Sequence, residues 1–112
     1  MLTKPISLGT AIATRCLSLV DGPAIVVTVG MPCKYDDTDE YYCPFQIVGL
    51  GRDSVNHASG ADSMQALLLA LKKIGAILNA SEQAKSGRLY WFTEGNSDLG
   101  FPIPDSMLPK SG

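Results

Sequence analysis

The chain has a single histidine, His57, and no two of its cysteines stand close enough in sequence to form a metal-binding knuckle. Any general acid–base or nucleophile-activating imidazole must therefore be His57. Cys16, Cys33, Cys43 and His57 are zinc ligands by type, but their separations are long and irregular and no C-x-x-C pair occurs among them. No metal and no cofactor is expected. Basic clusters are also lacking: the nine Lys and Arg residues are spread along the chain, so nothing gathers against a phosphate backbone and no nucleic-acid partner is expected. Apolar runs fall short of the roughly 18 residues of a membrane span. The N-terminal stretch MLTKPISLGTAIATRCLSLV is broken by Arg15 and scattered Ser and Thr, which reads as a strand and not as an export signal. An odd cysteine count in an unexported chain points to thiols in a reducing compartment, which places the protein in the cytoplasm.

What the chain does contain is ordinary globular material. Its 112 residues suit one domain, 1–112; the hydrophobic fraction is 46%, the charged fraction 18% and the net charge −2. Arg15, Leu17 and Leu19 alternate with Cys16, Ser18 and Val20 before Asp21-Gly22, and Ile25, Val27, Val29 and Met31 alternate with Val26, Thr28 and Gly30 after it. Two β-rich runs around D-G predict a hairpin, with Pro32 ending its second strand. Asp36, Asp37, Asp39 and Glu40 make a solvated acidic loop, which lacks the glycine and distal glutamate of a calcium loop. A third strand runs from about Tyr42 to Val48, and its Pro44 predicts an edge position or an irregular start. A weaker fourth strand covers Ser54 to Ser59, and a last one Arg88 to Thr93. The segment 99–112, with Pro102, Pro104 and Pro109, reads as an extended tail.

Helical periodicity is clearest over Ser63–Ala80, introduced by Asp62 as N-cap with Gln65 three residues on, the signature of a capping box. Met64, Leu67, Leu68, Leu71, Ile74, Gly75 and Leu78 fall on one face and predict its core side. Leu69 lies nearly opposite, and with Lys72, Lys73 and Ala76 it forms a candidate surface for a partner. The expected architecture is thus a single two-layer α+β domain. It has an antiparallel sheet of about five strands in the order β-β-β-β-α-β and one long helix packed across one face.

Gly49-Leu50-Gly51 resembles the start of a dinucleotide-binding turn, but a strand-like run follows it instead of a helix, and Ser54 replaces the third glycine. The glycines are better explained as a tight connection between strands. Cys43 and His57 could form a thiol–imidazole pair if the third and fourth strands are neighbours. The alternative is a packed thiol beside a solvent-facing histidine. Tyr90, Trp91 and Phe92 divide between core packing and an aromatic platform.

Three stretches taken together, CPFQIVGLG (43–51), GADSMQALLLALKKIG (60–75) and GRLYWFTEGNSDLGFPIP (87–104), resemble an uncharacterised family of small bacterial proteins. That family carries the pattern C-P-F-x-I-x-G-x-G, D-S-x-Q-A-L-x-L-A-L-x-x-I-G, G-x-L-x-W and D-L-G-F-P. The resemblance implies a bacterial, stand-alone, compact domain and transfers no catalytic residue. Small size, slight acidity and spare apolar surface on the helix favour a non-enzymatic protein-binding module of immunity or inhibitor type. A structural homo-oligomer is the alternative, followed by a small enzyme or ligand-binding domain built on Cys43 and His57.

Overall fold

In the computed structural model, which describes residues 6–103, the Asp21-Gly22 signal produces the expected hairpin. Strand β1 (Ala11–Leu19) pairs antiparallel with β2 (Ile25–Gly30), Leu17 opposite Ile25, and Asp21 holds the turn at φ 62°. After β2, the two-residue β3 (Cys33–Lys34) continues along the same neighbour, β4 (Tyr41–Val48). Val29 pairs with Phe45 but Cys33 with Tyr42, so one extra residue is absorbed at Gly30–Pro32. That is a β-bulge in an otherwise continuous strand. Strand β5 (Asn56–Gly60) takes the other edge of β4, and β6 (Leu89–Tyr90) adds to the far side of β1. All pairings are antiparallel, and the helix α1 (Ser63–Ala80) packs across β4 and β5. A short helix, α2 (Glu82–Lys85), follows it. The α+β expectation holds, with β3 as an additional short strand.

Two expectations need correction. Pro44 does not mark an edge: it is buried in the central strand β4, with neighbours on both sides. The bulge explains how. Gly30–Pro32 lies opposite Cys43–Pro44, so the ladder asks no donor of the proline there, and the ring packs within 2.8 Å of where a Gly30 Cβ would stand. The last strand, expected over Arg88–Thr93, stops at Tyr90 because Phe92 adopts φ 67° and turns the chain out of the ladder.

Helix α1 has the predicted limits and cap. Asp62 Oδ1 accepts from the Gln65 amide (2.8 Å), while Gln65 Oε1 accepts from the Ala61 amide (2.6 Å), one residue before the position a standard capping box would use. Its core face differs from the expected one. Ala66, Ala70, Ile74, Gly75 and Leu78 are buried, Leu67 and Leu71 half-buried, and Met64 and Leu68 exposed. Taking about 100° per residue, the helix is rolled by roughly 50° toward its alanines. The cause is close approach: a Cβ at Gly60 would sit 2.5 Å from the Ala66 backbone nitrogen, so helix and β5 meet through small residues. The core between the layers comprises Leu17, Ile25, Val27, Val29, Cys43, Phe45 and Ile47 beneath Ile74 and Leu78.

Where α1 leaves β1 and β2 uncovered, the segment after the last strand lies over the sheet. Leu99 is buried in the core, and Phe101 and Pro102 pack against Gly75. Residues 99–103 of the expected tail are therefore part of the packed domain; 104–112, and the first five residues of the N-terminal strand reading, lie outside the described residues.

Candidate functional site

Antiparallel partners share a face. Cys43 pairs with Ala58, whereas His57 pairs with Pro44, so the two candidate groups project from opposite faces of the sheet. Cys43 is fully buried beneath the helix, its thiol directed at the Gly30 carbonyl (3.5 Å). Burial, with Cys33 adding to it, holds this thiol above its ordinary pKa. His57 is half-buried on the outer face, edge-on to Tyr42 with ring centroids 6.4 Å apart. Partial burial and then Lys73 lower its pKa, and the Lys73 ammonium donates to the His57 carbonyl at 2.9 Å. The structure does not bring this pair together. Cys16 is exposed and Cys33 half-buried, and among the described residues no three of His, Cys, Asp and Glu gather as metal ligands.

The helix residues expected to form a partner surface differ in exposure. Lys72 and Lys73 are exposed, Leu69 is 38% exposed and Ala76 half-buried. Ala66, on the same helix, belongs to the core.

A larger apolar exposure lies on the other flank of α1, where the roll of the helix leaves Met64 63% and Leu68 51% exposed. One turn on, Leu71 shares a groove of about 220 Å³ with Ala13, Val29, Phe101 and Pro102, between the helix and the β1–β2 pair. The groove is closed at one end by a stack. The Arg15 guanidinium lies 3.7 Å from the Trp91 ring centroid and 4.8 Å from that of Phe101. Its Nη1 donates to the carbonyls of Leu99 (3.2 Å) and Gly100 (2.9 Å). Gly100 is required at φ 77°, since a Cβ there would strike the Trp91 ring. Phe92 completes the stack on Trp91, with centroids 4.6 Å apart, and is 83% exposed. Its left-handed backbone is unusual for a bulky residue and carries strain.

Met64 and Leu68 at one end, Leu71 and Phe101 in the middle, and Trp91 and Phe92 at the other thus line one side of the domain, with Arg15 at the centre. Sequence reasoning missed this band. Phe92 was visible as one of three consecutive aromatics, but nothing in the pattern announces its positive φ. Arg15 stood out only as a charge inside an apolar strand, on the helix side of the sheet opposite Val27.

These features define a small α+β domain with an exposed apolar band along one side, and the structure does not bring its candidate catalytic groups, Cys43 and His57, together. Residues 13–103 match the family described as Domain of unknown function (DUF6968), and the chain belongs to that family. No curated protein and no solved structure matches it. No helix among the described residues is long and apolar enough to cross a membrane.

Proposed function

We propose that the chain is a non-enzymatic protein-binding module of a bacterial cytoplasm, of immunity or inhibitor type, and that it docks its partner on the band from Met64 and Leu68 to Phe92. The observation that carries this reading is the exposure of Phe92 on a strained backbone, in line with two exposed apolar residues of α1. Trp, Phe, Met and Arg are enriched at protein interfaces, and anchors cluster where a rigid aromatic enters a partner's pocket. Met64 and Leu68, one turn apart, suit an apolar ridge on the partner. Lys72 borders the helical end, favouring a partner with acidic residues beside that ridge. The exposed and half-buried thiols of Cys16 and Cys33 fit a reducing compartment.

The test is capture from the source cell with the wild-type chain and with Leu68→Glu and Phe92→Ser, followed by titration of the purified captured protein. The reading expects a stoichiometric complex weakened at least tenfold by each substitution, with thermal unfolding of the free chain little changed. A complex indifferent to both substitutions contradicts it. Sedimentation of the wild type alone provides the second arm: concentration-dependent dimers abolished by Leu68→Glu would assign the band to a second copy and replace this reading with the homo-oligomer.

A further inference from the structure

A second cavity is on the side of α1 away from the band. It is a cleft of about 760 Å³ between the C-terminal half of the helix and the β4–β5 connection. Its floor is Phe45 and Ile47, and Leu50, Val55 and Ile77 form its apolar walls. The connection stands off the sheet because Gly49 and Gly51 both have positive φ and Asp53 Oδ1 accepts from the Gly49 amide at 3.0 Å, fixing the loop as a rigid rim. The volume falls in the range of small-molecule sites, which are mostly apolar with a few placed polar groups.

Charge specifies the occupant. Arg52 and Lys73 line the cleft, and Glu82, its acidic residue, is engaged by Arg88 at 2.6 Å. Arg52 makes no side-chain hydrogen bond or ion pair among the described residues, and Lys73 uses one of its three donors on the His57 carbonyl. Asn56 accepts from the His57 amide through Oδ1, which leaves its amide nitrogen free to donate. One unpaired guanidinium, one partly engaged ammonium and an apolar floor match a single anionic group attached to an apolar body. A polyphosphate would require more cations than the cleft holds.

We infer that the cleft lined by Arg52, Lys73, Val55 and Ile77 is a binding site for an amphipathic monocarboxylate. Arg52 takes the carboxylate at the rim, and the hydrocarbon lies along Leu50, Val55 and Ile77 over Phe45. The site is separate from the protein-docking band and stands or falls independently of it.

The experiment is calorimetric titration of the full chain with decanoate, beside decyltrimethylammonium as the charge-reversed amphiphile, with amide chemical shifts mapped in parallel. The expected result is one decanoate site, with shifts confined to residues 45–56 and 73–83 and no saturable binding of the cation. Arg52→Gln, at an exposed position, should weaken decanoate at least tenfold. Ala80→Trp, which places a large side chain from the exposed end of α1 into the cleft, should abolish binding. No binding at millimolar decanoate, equal binding of both amphiphiles, or affinity unchanged by Arg52→Gln would each overturn the assignment. Because Arg52 is exposed and makes no side-chain hydrogen bond or ion pair among the described residues, the test does not depend on how well the Trp variant folds.

Discussion

Gly75→Ala should destabilise this protein, although the same change in most helix interiors does the reverse. Gly75 sits in the middle of α1, where alanine is intrinsically better by about 1 kcal/mol. Here, however, the added methyl would overlap the Pro102 carbonyl oxygen and come within 3.3 Å of Phe101 Cβ. Both neighbours belong to the segment covering β1 and β2, and the contact on Pro102 is with backbone, which cannot rotate aside. Relief requires the segment to lift. Lifting exposes Leu99, whose full burial contributes about 2 kcal/mol. It also releases the two carbonyls held by Arg15, each charge-assisted hydrogen bond contributing about 1.5 kcal/mol at the low end of its range, since the site is partly solvated. Set against the propensity gain, the net loss is roughly 2–4 kcal/mol, or several degrees or more in Tm for a domain of this size. Urea unfolding followed by Trp91 emission measures it, and the native-state emission should itself shift as Arg15 and Phe101 leave the indole. A variant more stable than wild type by about 1 kcal/mol would refute the docking of residues 99–102 on the helix.

Three further outcomes follow from the same structure. Asp62→Ala removes the acceptor for the Gln65 amide and should cost on the order of 1 kcal/mol in denaturant unfolding, whereas Asp62→Asn should be nearly silent. Thiol titration of the native chain should label Cys16 rapidly and Cys33 more slowly, with Cys43 reacting only on unfolding, because burial both shields its sulfur and disfavours its thiolate; native labelling of all three would contradict the buried position. His57 has a folded-state pKa below its unfolded value, from partial burial first and Lys73 second. The unfolded chain therefore binds more protons, so this group favours folding above the ordinary histidine pKa and its contribution falls as pH drops from about 6.5 toward the folded value. His57→Gln should flatten that part of the stability–pH curve; an unchanged curve would show that histidine makes no such contribution.

The elements legible in the sequence were those set by local chemistry. The D-G hairpin, the limits of α1 and the Asp62 cap each depend on residues within a few positions of one another. The roll of α1 was not legible, because a helical wheel favours leucine over alanine on the core side. What decided the matter was Gly60 on a neighbouring strand, which lets the helix backbone at Gln65–Ala66 approach closely and turns Ala66 into the core. Pro44 misled for a similar reason: its place in a central strand depends on a bulge around Gly30–Pro32 in another strand. The separation of Cys43 from His57 follows from register, which β4 and β5 establish only on pairing. The band ending in Phe92 and the cleft beneath Arg52 depend on long-range contacts, Arg15 with Leu99 and the β4–β5 rim with the end of α1, that no sequence window contains.

The central claim is that the domain recognises a protein partner through the side formed by α1 and the Trp91–Phe101 stack. Amide hydrogen exchange on the free chain and on the complex with its purified partner tests it most directly. The account predicts slowed exchange in Met64–Leu71 and Trp91–Phe101 on binding, with the acidic loop 35–40 and the outer-face residues Cys16, Val26 and Thr28 unchanged. Protection confined to the outer face or to β5, with Met64–Leu71 exchanging as in the free chain, would contradict it.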